Sequence, residues 1–242
     1  MAAHRTIRKF LPTPVPDADV HKAVEAAEKA STSSWIQAYA LLQITDGETR
    51  RELRALTGDQ AQVEEAGAFF CVCADTRRHR LIAEDAGVPH AANLETFLLS
   101  VVDTSLFAQN LALAFEAQGH GICFIGALRN HLPEVDRLLE LPEGVIGLYG
   151  LCVGEPDPES PLGGATEPRP RLAVDAVWTR DRYPGDDEIR AHVEDMDRRA
   201  NDYYRDRGQP KRDWSGGIWR TFRAPSREHL HDHFESKGAR LR

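Results

Sequence analysis

Apolar positions along this chain recur in two rhythms, one near 3.6 residues and one of short continuous runs. In DADVHKAVEAAEKA (17–30), Val20, Ala23, Val24 and Ala27 share one helical face, with Asp17 or Asp19 placed to cap it. The polar stretch STSSWIQ (31–37) leads into AYALLQI (38–44), short enough for a strand. DGETRRELRALTG (46–58) then predicts a surface helix stopped at Gly58. AGAFFCVCAD (66–75) predicts a buried strand, and a charged stretch follows it. Residues 91–119 carry Leu94, Phe97, Leu98, Val101, Val102, Leu106, Leu113 and Phe115. A helix apolar on that many sides must be enclosed in its own subunit or shared between two.

GICFI (121–125) and GVIGLYGLCVG (144–154) predict two further strands, separated by a helix over 132–141 between Asn130 and Pro142. The proline- and glycine-rich EPDPESPLGGATEPRPR (155–171) predicts a long loop, a length that in compact proteins tends to carry function or motion. Ile189, Val193, Met196, Ala200 and Tyr203 make a narrow helical stripe over 186–204. Trp214, Ile218 and Phe222 make a short amphipathic helix, and SREHLHDHFESKG (226–238) a last one. No internal repeat is present. Helices and strands mixed in this order, with a helical tail, predict an α+β fold rather than a regular βαβ winding. Three regions follow: a core over 1–156, a connecting segment over 157–185 and a helical extension over 186–242.

Composition narrows the chemistry. The 242 residues suffice for a well-buried core without disulfides. Four cysteines, with no apolar leader after Met1 and no apolar run approaching a membrane span, predict a soluble protein of the reducing cytoplasm. Cys71 and Cys73, two apart in a strand, point to one face, and the absence of any C-x-x-C pair favours core packing over a metal or dithiol role. A net charge of −8 argues against general nucleic-acid binding. From 205 to 242, however, ten Lys and Arg stand against five Asp and Glu, leaving the tail at +5 and the rest at −13. That asymmetry suggests an anion site, although a solvated surface explains it too.

No phosphate-loop, zincin or nucleophile-elbow motif occurs, and GHGICFIG runs glycine into strand rather than strand into glycine, unlike a dinucleotide-binding turn. His229 and His233, four apart, could share a metal, but no third ligand is apparent, so the expectation is no metal. What remains is a dispersed set of anion-binding features: Arg5, Arg8 and Lys9, then Arg129, then Arg169 and Arg171.

Seven motifs in order, HRTIRKF, STSSWIQ, LTGDQAQV, VVDTSLFAQNLALAFEAQGHGICFIGALRN, LYGLCVGEP, RPRL and DYYRDRG, resemble the oxygen-insensitive NADPH nitroreductase and flavin reductase group of the FMN-dependent nitroreductase superfamily. The resemblance runs from residue 4 to the C-terminus. It implies a central, mainly antiparallel sheet flanked by helices, an intertwined homodimer with a helical C-terminal extension, and FMN at the interface.

By residue-by-residue transfer, His4, Arg5, Thr6 and Arg8 would hold the phosphate and the polar edge of the ring, without an assignment of which meets the phosphate. Thr32 and Ser33 would reach FMN from the partner subunit, and Gln60 would face the isoalloxazine. Phe124, Ile125, Gly126 and Ala127 would line it, and Arg169 and Arg171 would complete the phosphate grip. Arg207, with Lys211 and Arg212, resembles a loop for the NADPH 2′-phosphate, and Ser34 and Arg227 resemble residues bordering the substrate pocket. Thr6 stands where the family has Ser, Ala127 where it has a second Gly, and Arg169 where it has Lys; several residues that normally precede the histidine are missing.

The implied activity is an NAD(P)H-dependent FMN oxidoreductase. It would take hydride from NADPH onto flavin N5 and pass it to a nitroaromatic, quinone or flavin-type small-molecule acceptor in ping-pong order, with no catalytic side chain. The alternatives are a flavin-binding protein with little turnover and, from charge asymmetry alone, an anion-binding helical module.

Overall fold

A computed structural model describes residues 4–160, 168–209 and 212–240. They fall into two compact units, divided at 166/167 and 226/227, with the last segment of the chain belonging to the first unit.

The first unit is built on β1 (Tyr39–Ile44), β2 (Ala68–Asp75), β3 (Gly121–Ile125) and β4 (Val145–Gly154), in the antiparallel order β1-β2-β4-β3. Strand alternation sorts the core into two layers. Phe69, Cys71 and Cys73 of β2 face Leu53 of α2 (Gly47–Leu56), Val63 of α3 (Gln62–Glu65) and Val135 of α6 (Leu132–Leu138). Ala68, Phe70 and Val72 face Ala23 and Ala27 of α1 (Asp17–Ala27) and Phe107, Leu111 and Phe115 of α5 (Leu94–Ala117). Covering both faces is what makes β2 a continuous apolar run. The thiols of Cys71 and Cys73 meet at 3.6 Å on one side, as their spacing requires.

Several element ends differ from the sequence reading for identifiable reasons. Pro16, not an aspartate side chain, precedes α1; Asp17 and Asp19 lie in its first turn, where they complement the helix dipole. The charged stretch after β2 folds as α4 (Arg77–Asp85), an exposed helix whose apolar residues, such as Leu81 and Ile82, make no buried stripe for periodicity to detect. α6 ends at Leu138 rather than 141, because Glu140 turns left-handed at φ 52°. α5 starts where Asn93 Oδ1 accepts the Thr96 amide at 2.9 Å.

By length and composition α5 would suffice to cross a membrane, so the expectation that no run approaches a span is corrected. Its inner stripe of Ser100, Asp103, Thr104, Phe107 and Leu111 is nonetheless buried in the unit. The outer face leaves Leu94, Leu98, Val102 and Leu106 between 43% and 48% exposed.

The C-terminal return ends in α10 (Leu230–Ser236). Lys237 Nζ meets Asp136 Oδ2 at 2.8 Å and donates to the Leu141 carbonyl at 2.7 Å, and His233 Nε2 lies 3.3 Å from the same carboxylate. The second unit holds α7 (Val174–Val177), α8 (Asp186–Arg205) and α9 (Ser215–Phe222). Asp197 Oδ1 ties α8 to α9 by accepting the Trp214 and Ser215 amides at 3.0 and 2.8 Å.

Candidate functional site

β3 is the last strand of the sheet, and the N-terminal segment lies along its outer side. Thr6 bridges Ile122 in parallel, and the Ile7 amide donates to the Ile122 carbonyl at 2.9 Å. Glycine at 121 permits this approach, since a Cβ there would sit 2.6 Å from Ile7 Cγ1 and 3.0 Å from Pro156 Cγ. Past this point the segment turns to the residues that follow β4: Phe10 bridges Pro156, and the Leu11 amide donates to the Glu155 carbonyl at 2.9 Å.

At the His4 end, His4, Arg5, Leu113, Glu116, His120 and Gly121 line a cavity of about 430 Å³. Both histidines are backed by carboxylates: His4 Nδ1 lies 2.6 Å from Glu116 Oε1, and His120 Nε2 lies 3.2 Å from Asp19 Oδ2. Neither acid was a site candidate in the sequence; Asp19 stood there only as a possible helix cap. Glu116 and Asp19 lie 112 and 101 positions from their histidines, and no local pattern announces such pairs.

At the other end, Gln62 Nε2 donates to Gln60 Oε1 at 3.0 Å, and Gln60 Nε2 donates to the Thr57 carbonyl at 2.8 Å. Burial pushes the Cys123 thiol up, opposed by the nearby Arg8 guanidinium and a hydrogen bond with Gln62, which puts Arg8, Gln62 and β3 in one neighbourhood. Strand alternation turns the amide and carbonyl of Phe124 the same way as those of Ile122, toward the sheet edge. Phe124 is 38% exposed and meets Tyr149 edge-on at 5.4 Å. Ile125 is buried, and a 3-10 helix over Gly126–Asn130 follows. Ala127 packs against the core cluster of Leu128 and Val135, so its methyl is accommodated on the inner side.

The same turn brings Arg129 to the C-terminal return. Arg129 Nη1 donates to the Leu148 carbonyl at 2.6 Å, Arg227 Nε donates to Asn130 Oδ1 at 2.9 Å, and His229 Nε2 lies 3.1 Å from the Arg129 carbonyl. Burial first, and then the charge of Arg227, pull the Arg129 pKa down. His229 and His233 are thus engaged with different groups, and among the described residues no cluster of three His, Cys, Asp or Glu is arranged around a metal.

Thr32, Ser33 and Ser34 belong to a loop that is tied to α5 and α4. Ser34, Trp35 and Gln37 take φ values of 47°, 60° and 51°, each a left-handed conformation costing a non-glycine residue about 1–2 kcal/mol. Asp103 Oδ1 accepts the Ser33 amide at 2.8 Å and Oδ2 the Ala38 amide at 3.2 Å, so one carboxylate grips both ends of the loop. Thr104 Oγ1 lies 3.2 Å from the Ala38 carbonyl, and His79 Nε2 2.7 Å from that of Ile36. Trp35 projects outward, 83% exposed.

In the second unit, Arg169, Arg171 and Arg212 line a cavity of about 600 Å³ floored by Met196, Ala200 and Trp214. Arg207 stacks on Tyr203 at 3.7 Å and Arg212 on Tyr204 at 4.4 Å. Lys211 lies outside the described residues. The sequence-selected residues therefore form separate groups: His4 with Arg5; Arg8 with Gln60 and the end of β3; Arg227 with Asn130; the Thr32–Ser34 loop; and the arginines of the second unit.

Comparison with known proteins gives the family. Residues 1–155 match the model of the Nitroreductase family, and residues 169–242 that of the Nitroreductase family, C-terminal domain. An FMN reductase (NADPH) from Bacillus subtilis is 38% identical over 242 residues, covering 97% of this chain and 94% of that protein. An oxygen-insensitive NADPH nitroreductase from Salmonella typhimurium is 36% identical, covering 98% and 95%. Among solved structures, a B. subtilis nitroreductase superposes with a TM-score of 0.90 at 38% identity over 98% of this chain and 96% of that one. An NADPH:FMN oxidoreductase from Vibrio harveyi complexed with NAD+ gives 0.84 at 36% identity, covering 98% and 95%.

Proposed function

We infer the function from the premise that this chain belongs to the nitroreductase family: it is an NADPH-dependent flavin oxidoreductase that holds FMN and reduces small-molecule acceptors of the nitroaromatic, quinone or flavin type. The observation that carries the reading is the N-terminal segment laid along the open edge of β3. That segment carries His4, Arg5, Thr6 and Arg8, and β3 leads through Phe124 and Ile125 into the turn of Gly126 and Ala127.

The residues present fit the group. A flavin mononucleotide needs cationic donors for a phosphate at one end and neutral or cationic donors for ring heteroatoms at the other. The His4 end supplies Arg5 and two acid-backed imidazoles. The Arg8 end supplies a guanidinium, the Gln60–Gln62 amides and an edge-facing backbone. We assign the phosphate to His4 and Arg5 and the ring edge to Arg8 and Gln60, with Thr6 between them.

When bound, FMN supplies a two-electron carrier that takes hydride at N5 from NADPH and yields it to the acceptor. The chain's own residues orient and stabilise. Arg8 would supply positive charge to stabilise the negative charge of a reduced flavin ring, as oriented donors stabilise developing charge. Arg169 and Arg171 are proposed as phosphate donors, a task that guanidinium forks suit. Arg207, Lys211 and Arg212 receive the 2′-phosphate of NADPH, while Ser34 and Arg227 border the acceptor. No acid–base residue is required, and a bound flavin with one open face would serve donor and acceptor in turn, in ping-pong order.

A homodimer is part of this reading. The exposed stripe Leu94, Leu98, Val102 and Leu106 on α5 supports coverage by a second copy, whose Thr32 and Ser33 would complete each flavin site. Four unpaired, buried cysteines support a reducing compartment such as the cytoplasm.

The test is anaerobic stopped-flow on the purified protein loaded with FMN. NADPH should bleach the flavin absorbance faster than NADH, and a nitroaromatic or quinone should restore it in a separate step. Flavin that stays oxidised with either nicotinamide would identify a flavin-binding protein with little turnover instead.

A further inference from the structure

We infer that Asp103 is a positioning residue for the nicotinamide and acceptor side of the site, holding the 33–37 loop in the left-handed form from which Ser34 and Trp35 face outward. The inference rests on the proposed flavin oxidoreductase reading for what the loop meets, but not for how the loop is held.

Asp103 is fully buried in the middle of α5, and no ion pair with Lys, Arg or His accompanies it among the described residues. An isolated carboxylate at such depth is costly unless donors replace water. Here those donors are the amides of Ser33 and Ala38, five residues apart and at opposite ends of the loop. Between them lie three left-handed non-glycine residues, at 34, 35 and 37. A short polar segment would ordinarily relax from that conformation; here the two amide bonds to one rigid acceptor oppose relaxation. Thr104, the next residue, grips the Ala38 carbonyl, and His79 of α4 meets the Ile36 carbonyl from the other side.

Trp35, the most exposed tryptophan, stands outward on the loop that this clamp holds. The clamp also gives α5 two tasks. Its inner face sets the loop through Asp103 and Thr104, while its outer stripe offers Leu98 and Val102 to a second copy. Loop geometry and subunit contact are thereby carried on one rigid element.

The experiment compares wild type with Asp103→Asn, which keeps the volume but turns one acceptor oxygen into a donor facing an amide. In hydrogen exchange on the flavin-free protein, the Ser33 and Ala38 amides should exchange about tenfold faster, the loss of roughly one charge-assisted hydrogen bond. The rest of α5 should keep its protection. In the FMN-loaded protein, KM for NADPH and for acceptor should rise about tenfold, while the limiting rate of flavin reduction changes little, a split that general destabilisation would not produce. Thr104→Val is the milder companion, and should speed exchange over the same segment less, in the same direction.

Unchanged exchange at both amides, or faster exchange with unmoved KM values in an active protein, would overturn this inference alone. If Asp103→Asn does not fold, unchanged exchange in Thr104→Val would overturn it. A wild-type chain that neither retains flavin nor oxidises NADPH would overturn the functional reading itself, an outcome that wild-type absorbance and NADPH consumption reveal before any variant is made.

Discussion

Single atoms decide whether the N-terminal segment reaches β3. Adding a methyl in Gly121→Ala would collide with Ile7 Cγ1 at 2.6 Å and Cβ at 2.9 Å, both near-backbone atoms that have little room to give. Overpacking of this kind costs about 1–3 kcal/mol. The expected outcome is a lowered Tm together with loss of FMN on gel filtration, because the displaced strand carries His4 to Arg8. Arg8→Ala removes a guanidinium without touching the core, so flavin should dissociate roughly tenfold or more readily with Tm of the flavin-free protein nearly unchanged. Flavin quenching titrations measure the first and thermal scans the second; retention at wild-type affinity would remove Arg8 from the site. Ala127, packed against Leu128 and Val135, offers a contrast. Ala127→Gly should leave flavin affinity within about twofold, since its methyl faces the inner side of the turn.

Among elements, α5 bears the most consequences, because its two faces have different partners. Asn93 caps it through the Thr96 amide, and Asn93→Ala should cost about 1 kcal/mol, read as a shifted denaturant midpoint with unchanged m-value. On the outer stripe, Val102→Asp puts a charge among the exposed Leu98 and Leu106. The dimer reading expects a shift to monomer in sedimentation with concurrent loss of flavin. A variant that sediments as wild type would argue that this face is not the subunit contact.

The long helix, the four strands and the tail helices were legible in sequence because each carries a strong period or an uninterrupted apolar run. α4 was not, since a solvated helix without a buried stripe leaves no such trace. Nor was the bridge between Thr6 and Ile122, which depends on residues 116 positions apart in the chain meeting at a sheet edge.

At the scale of the whole first unit, the chain closes on itself where the half-buried Asp136 meets the buried His233 and Lys237. Burial lowers the His233 pKa below its usual 6.5, with Asp136 and Glu134 opposing and Lys237 and His229 assisting the fall. The unfolded chain therefore takes up this proton more readily than the folded one. Stability should be complete above about pH 6.5 and fall as pH drops from there toward the depressed folded value. Thermal scans between pH 8 and 5.5 should show this loss, and His233→Gln should flatten that part of the profile; an equal slope in the variant would assign the loss to other groups, such as His90, also lowered by burial.

By itself the sequence determined the α+β class, the apolar strands, the shared faces of Cys71 and Cys73 and, through ordered motifs, the family and its chemistry. Those features live in local periodicity and in residue types at set spacings, which a linear chain displays directly. Only the tertiary structure decided that Glu116 and Asp19 back the two histidines, that Ala127 turns its methyl inward and that Asp103 clamps the 33–37 loop. The physical reason is distance along the chain. A hydrogen bond acts over about 3 Å of space whatever number of residues separates its ends, and packing alone brings those ends together.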